Sequence, residues 1–95
     1  MLSVIAIQEA VASGKMTPRA AVEASLDAIA AGDAAIGAFE VVADRETLLR
    51  SAETAAGPLA GIAVGIKDIF DTGDLPTTYG STAYAYHQPR TDAAL

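Results

Sequence analysis

The sequence predicts an α/β fold in which several helices are combined with a few strands, and three observations carry that prediction. Apolar residues recur every three or four positions after Thr17, which is the spacing of a helix face. Residues 59–66 change to a period of two, which is typical of a strand. Residues 38–42, Ala-Phe-Glu-Val-Val, form a short β-prone run. A length of 95 residues allows one small domain at most.

Two helices are predicted in the first third of the chain. The first covers residues 3–12, with Ser3 as its cap and Gly14 as its stop. The second begins after Thr17, a candidate N-cap, and Pro18 takes its first position, where the missing N–H costs nothing. The apolar stripe of this second helix and its predicted end are Val22, Leu26, Ile29 and Gly32.

A short strand and a third helix are predicted next. The strand covers residues 38–42. The helix opens at Asp44 and runs to about Ala55, after which Gly57 and Pro58 break it. The apolar face of this helix consists of Leu48, Leu49 and Ala52.

The alternating segment 59–66 predicts a second strand, which ends beside Lys67. A strand sends successive side chains to opposite faces, so the segment separates into an apolar row and a row of small residues that includes the lysine. The first row is Ile62, Val64 and Ile66, and the second is Ala63, Gly65 and Lys67.

Turn-forming residues dominate after Asp71, and a further helix is predicted to start near the end of the sequence. Thr91 is a good N-cap, and Asp92 suits the positive end of a helix dipole. Leu95 falls within the first turn of that helix. Because a single turn does not offset the cost of helix nucleation, we expect the domain to continue beyond residue 95.

The composition excludes several classes of protein. Alanine supplies 22 of the residues in a 52% hydrophobic chain, so the predicted core is thin. The absence of cysteine excludes disulfides, thiolate metal sites and a thiol nucleophile, and His87 alone cannot make a histidine-rich metal site. Six basic against twelve acidic residues give a net charge of −6, which argues against direct binding of nucleic acid.

The sequence also lacks the patterns of membrane insertion and secretion. No apolar run approaches the ~18 residues that a membrane helix needs. The first ten residues contain Gln8 and Glu9 and lack the basic region of a signal peptide. We therefore expect a soluble cytoplasmic protein that does not associate with a membrane.

Lys67 is the strongest candidate for chemistry. Ala63 and Gly65, its predecessors on the same face of the predicted strand, leave space for another group to approach the ammonium. Removing water from an amine favours its neutral form, and a neutral lysine can act as a base. The alternative is an ordinary surface lysine whose charge pairs with Asp68 or Asp71.

Other polar groups favour structural roles. Asp68, Asp71 and Asp74 could gather a hard cation, but the calcium-loop spacing is absent and turn capping is favoured. A phosphate-binding loop is rejected because Gly61 to Lys67 has the wrong spacing and is followed by aspartate. An ordinary surface role is favoured for His87, and packing is favoured over a binding pocket for the tyrosines. The three tyrosines are Tyr79, Tyr84 and Tyr86.

Three motifs together resemble the amidase signature family. They are the segment 57–68, Gly-Pro-Leu-Ala-Gly-Ile-Ala-Val-Gly-Ile-Lys-Asp, then Leu-Pro-Thr-Thr at 75–78, and Gly-Ser at 80–81. The order of the predicted elements fits the N-terminal part of that family over nearly the whole chain. One departure is Ala63, which stands where the family usually has proline.

The resemblance implies both a fold and a catalytic group. Family members are α/β enzymes of several hundred residues, with a mixed central sheet covered by helices. Their catalytic group is a lysine, a serine that follows a cis peptide and a nucleophilic serine. Lys67 matches the lysine, whereas both serines are expected beyond residue 95. Residues 1–95 would then be the N-terminal part of a single amidase domain, inactive by itself.

The function implied by the resemblance is hydrolysis of a carboxamide C–N bond to a carboxylate and ammonia. Two alternatives stay open: the amidase component of a tRNA-dependent amidotransferase, and a non-catalytic helical interaction module. The expected partners are a small amide substrate and the remainder of the amidase chain, and a homodimer is left open. No cofactor and no metal are expected.

Overall fold

The computed structural model describes residues 2–94, and its regular structure is helical. Three α-helices are present: α1 (Val4–Ala12), α2 (Pro18–Ile36) and α3 (Arg45–Glu53). A 3₁₀ turn follows at Thr82–Tyr84. The chain divides into two compact units, one that ends at Val64 and one that starts at Gly65. The three α-helices all belong to the first unit.

The predicted starts of α1, α2 and α3 are confirmed by their caps. Ser3 Oγ accepts the N–H of Ala6 at 3.1 Å at the start of α1. Thr17 Oγ1 accepts the N–H of Ala20 at 3.1 Å, with Pro18 as the first residue of α2. The same type of cap starts α3, where the Asp44 carboxylate accepts the Thr47 N–H at 2.9 Å. Each cap satisfies an N–H that has no partner inside its own helix.

The predicted end of the second helix at Gly32 is wrong, because α2 continues for another turn to Ile36. A glycine inside a helix costs only about 1 kcal/mol relative to alanine, so it does not by itself stop the helix. The helix ends at Gly37, which adopts a left-handed φ of 67° and donates its N–H to the Asp33 carbonyl at 2.7 Å. Glycine takes that conformation without steric cost.

Helices α2 and α3 pack against each other in antiparallel directions. Arg19 near the start of α2 lies 2.7 Å from Glu53 at the end of α3. Arg45 at the start of α3 lies 2.8 Å from Asp27, further along α2. These exposed pairs contribute little to stability, but their positions show that the two helices run in opposite directions. The buried apolar residues are Ala21, Leu26, Leu49, Ala52 and Ala60.

The strands predicted at 38–42 and 59–66 are not formed. Residues 57–61 make turns, and residues 62–67 are irregular. Across residues 2–94, the only strand-type pairing is an isolated bridge between Thr72 and Leu75. A strand exists only as part of a hydrogen-bonded ladder, and the N–H groups of 63–66 have no backbone acceptor within the described range. The strand predicted from the period of two is therefore wrong, because no neighbouring strand is present among the described residues.

The helix predicted to start at Thr91 is also not formed over the described residues. Residues 92–94 are irregular, and Leu95 lies outside the described range. Asp92, which suited a helix start, instead accepts the N–H of Gly73 at 2.7 Å through its side chain. Ala93 donates its N–H to the Asp71 carbonyl at 2.8 Å. These two hydrogen bonds attach the segment to residues 71–73.

Replacing Gly61 with alanine is expected to destabilise the first unit more than replacing Gly57 does. Both glycines have positive φ, 85° and 91°, where alanine costs roughly 1–2 kcal/mol. A Cβ at Gly61 would also lie 3.0 Å from Pro18 Cα and 3.1 Å from Ala21 Cβ, whereas a Cβ at Gly57 meets nothing within 4 Å. The crowding adds roughly 1–3 kcal/mol. Urea unfolding of both variants measures the difference, and equal losses would contradict the close approach.

Candidate active site

Lys67 opens a tight turn over residues 67–70 at the start of the second unit. Its carbonyl accepts the N–H of Ile69 at 2.8 Å and that of Phe70 at 3.1 Å. The side chain is exposed. No carboxylate lies within ion-pair distance of its ammonium anywhere in the described part of the chain. Lys67 is therefore a surface lysine among the described residues, as the alternative expected, but the expected pairing with Asp68 or Asp71 is not found.

The Asp68 carboxylate accepts two hydrogen bonds from Thr78, ten residues further along the chain. The donors are the backbone N–H of Thr78, at 2.7 Å, and the Thr78 hydroxyl. These two bonds, the hydroxyl first, hold the pKa of the Asp68 carboxyl below its ordinary value of 3.8. Asp68 therefore acts as the cap of a turn, as the sequence favoured, and stays ionised at neutral pH.

Thr77 and Thr78 are the buried polar residues of the second unit. Their relative exposures are 1% and 5%. Thr77 donates its hydroxyl to the Phe70 carbonyl at 3.4 Å and its N–H to the His87 carbonyl at 3.0 Å. The two threonines therefore both contact the Lys67 turn: Thr78 binds Asp68, and Thr77 binds Phe70.

Asp71 is engaged by an aromatic cluster. The Tyr79 hydroxyl donates to the Asp71 carboxylate, and this bond raises the pKa of the tyrosine. The Tyr79 ring lies 5.4 Å from the Tyr84 ring in an edge-on arrangement and 5.8 Å from the His87 imidazole. Packing was favoured for these tyrosines, and Tyr79 and Tyr84 do contact each other. Tyr86, by contrast, is 97% exposed.

Three of the four acids of the second unit line an open depression of about 640 Å³. Asp71, Asp74 and Asp92 face it, together with apolar residues such as Ile66 and Phe70. Among the residues that the structure describes, no group of three acids or histidines is arranged to hold a metal ion. Lys67 is not among the lining residues of this depression.

Sequence reasoning missed the connection between Asp68 and Thr78. It identified the aspartate as a turn cap and the Thr-Thr pair as part of a motif, but it did not join them. The sequence signal for this bond was an aspartate at the start of one turn, whose short side chain accepts hydrogen bonds, and two threonine hydroxyls at the start of the next turn. Such side chains often bind backbone groups of neighbouring turns, but their spacing does not specify the partner.

Helices in the described range are too short or too polar to cross a lipid bilayer.

Comparison with known proteins supports the resemblance seen in the motifs. The model of the Amidase family matches residues 20–95, which include Lys67, Asp68 and both threonines. One similar protein is a glutamyl-tRNA(Gln) amidotransferase subunit from Thermobifida fusca. It is 38% identical over 102 residues, covering 99% of this chain and 20% of the relative. The corresponding protein from Streptomyces avermitilis is 39% identical over 103 residues, again covering 99% of this chain and 20% of the relative.

A third relative, the corresponding protein from Rhodopirellula baltica, is 38% identical over 92 residues, covering 87% of this chain and 18% of the relative. The chain therefore spans about a fifth of the length of the curated relatives that it matches. The family match covers well over half of the sequence, and its residues include the motifs from which the resemblance was first drawn. The chain belongs to the amidase family.

Proposed function

We propose that the complete protein cleaves the C–N bond of a carboxamide and that Lys67 is the base of that reaction. The observation that carries the proposal is the family match over residues 20–95, which includes the Lys-Asp motif at 67–68. The state of Lys67 is consistent with the role. Its ammonium has no carboxylate partner in the described residues, and both nearby acids are committed to Thr78 and Tyr79.

In the proposed reaction, Lys67 moves a proton between serines supplied by the remainder of the chain. The neutral amine takes a proton from the bridging serine, which takes one from the nucleophilic serine as its oxygen attacks the amide carbon. The proton returns to the leaving nitrogen, which departs as ammonia. Water then cleaves the acyl-serine ester and gives the carboxylate. Backbone N–H donors near the nucleophile would stabilise the negative oxygen that forms in each step.

A lysine can serve as this base only where much of its water has been removed. Lys67 is exposed among the described residues, and so are its apolar neighbours Ile66 and Ile69. Residues 1–95 would form the N-terminal part of one amidase domain, and the remainder of that domain would cover these side chains. Burial of the two isoleucines would then exclude water from the amine as well.

A second candidate function is that of the amidase component of a tRNA-dependent amidotransferase. The names of the relatives at 38–39% identity favour it. Such a component would release ammonia from an amide donor and pass it to glutamyl-tRNA through partner subunits. The net charge of −6 does not favour direct tRNA binding by these residues. Either candidate would act in the cytoplasm.

One experiment tests the proposal and separates the two candidates. The complete protein is incubated with simple carboxamides and with glutamine, and ammonia is measured. The hydrolase releases ammonia from a carboxamide without any partner. The amidotransferase component releases glutamine-derived ammonia only in the presence of its partner subunits, and glutamyl-tRNA(Gln) is amidated. Cleavage of no amide under either condition would contradict both and leave the helical interaction module.

A further inference from the structure

We propose that Asp68 is a positioning residue for Lys67 and that it acts by binding Thr78. The inference rests on the function proposed above, because it names a residue that serves the same base. Asp68 would not touch the substrate. Its role would be to hold the turn that carries Lys67 and to keep its own carboxylate away from the ammonium beside it.

The turn that carries Lys67 is closed by its own hydrogen bonds and attached to two threonines. The Lys67 carbonyl closes the turn by accepting two N–H groups, at 2.8 and 3.1 Å. The next residue, Asp68, extends its carboxylate to both the N–H and the hydroxyl of Thr78. At the far end of the turn, the Phe70 carbonyl accepts the Thr77 hydroxyl at 3.4 Å. The turn is therefore attached at two points to one pair of residues.

The burial of Thr77 and Thr78 supports the same inference. The second unit has little apolar core of its own, and Thr77 and Thr78 are buried within it, at 1% and 5% exposure. Buried hydroxyls without partners are costly, and these two direct their bonds to the Lys67 turn. Polar side chains thus take the place that apolar contacts fill elsewhere. The Lys67 turn is therefore attached through these two hydroxyls together with the Thr78 N–H.

The bonds between Asp68 and Thr78 also affect the negative charge beside Lys67. Asp68 is the acid adjacent to Lys67 and the nearest in sequence that could form an ion pair with it. Two donors from Thr78 occupy its carboxylate, and the ionised state of Asp68 is favoured by the same donors. Without the Thr78 hydroxyl, one oxygen of the Asp68 carboxylate would lose its donor and could form an ion pair with the Lys67 ammonium beside it.

The test uses the complete protein with Thr78→Val, which keeps the shape of the side chain and removes its hydroxyl. Thr78→Ser restores the hydroxyl, and Asp74→Ala is the matched control, because Asp74 is an exposed acid of the same loop with no hydrogen bond among the described residues. We expect Thr78→Val to lower kcat roughly 10- to 100-fold, the effect of a small misplacement of a catalytic group. The KM should stay within about twofold, since substrate binding is unchanged.

Three outcomes distinguish a failure of the positioning role of Asp68 from a failure of the proposed function. Recovery of kcat by Thr78→Ser at equal melting temperature supports the positioning role. Wild-type kcat in Thr78→Val, in a protein that Lys67→Ala inactivates, overturns the inference and leaves the proposed function standing. Full activity in Lys67→Ala overturns both. Where Thr78→Val fails to fold, Asp68→Glu keeps the charge, displaces the bond by one methylene, and is held to the same expectation for kcat.

Discussion

Replacing Lys67 with alanine in the complete protein is expected to abolish ammonia release from its amide substrate. A positioned general base contributes roughly 10²- to 10⁴-fold to a rate, and under the proposed function Lys67 would also activate the nucleophile. The side chain makes no ion pair within the described residues, and the turn is closed by the Lys67 backbone carbonyl, so alanine should leave the melting temperature nearly unchanged. Steady-state ammonia assays and a thermal melt of the same preparation measure both effects.

Lys15→Ala is the matched control for that substitution. Lys15 and Lys67 are the two lysines of the chain, and both are exposed. Lys15 follows α1 and is expected to be dispensable. Lys67→Arg should be as inactive as Lys67→Ala, because a guanidinium does not lose its proton in a protein. Unchanged turnover in either Lys67 variant would refute the role of base.

The second large effect is expected when residues 1–95 are produced without the remainder of the protein. They should release no ammonia from any carboxamide, because the two serines that complete the catalytic group are expected beyond residue 95. Of the serines present, Ser3 accepts a helix N–H, and Ser81 accepts the Ala83 N–H at 3.3 Å. Neither belongs to a motif typical of the nucleophile.

The measurement is an ammonia assay on the 95-residue chain at high protein concentration. A helical circular dichroism spectrum serves as the control that α1, α2 and α3 have formed. Amide hydrolysis that survives repeated purification, and that Lys67→Ala removes, would show that a nucleophile lies inside these residues. That outcome would contradict the assignment of both serines to the remainder of the chain.

The starts of α1, α2 and α3 could be predicted from the sequence because their determinants are local, whereas the start predicted at Thr91 is not formed among the described residues. Ser3, Thr17 and Asp44 each bind an N–H three residues ahead, so residue type and position are sufficient information. The helix end was predicted less well. Gly32 and Gly37 are both plausible stops by type, and only the left-handed conformation at Gly37 distinguishes them.

Strands could not be predicted in the same way, because their hydrogen bonds come from a distant partner. The alternation over 59–66 predicted a strand, whereas residues 59–61 lie in a turn and residues 62–66 are irregular. The side chains of Val64 and Ile66 remain exposed, at 76% and 59%. Period-two patterning describes which side chains could be buried, but it carries no information on the neighbour that would bury them.

The candidate site likewise has one part that the local sequence predicts and one part that it does not. Lys67 was identified from its neighbours in sequence and from a family motif, both of which are local signals. The attachment of its turn to Thr77 and Thr78 spans seven to ten residues through side-chain bonds. Many aspartates and threonines in this loop could have formed such bonds. The selection among them depends on the folded course of residues 68–78, which the pattern of residue types does not specify.

The most direct test of Lys67 as a base is chemical rescue of Lys67→Ala in the complete protein. Methylamine is added over a range of pH, and ammonia is measured with an assay specific for it. The account predicts that activity returns in proportion to the unprotonated amine and therefore rises with pH, whereas tetramethylammonium, which cannot accept a proton, restores nothing. Wild-type turnover without added amine, or equal rescue by both compounds, would contradict it.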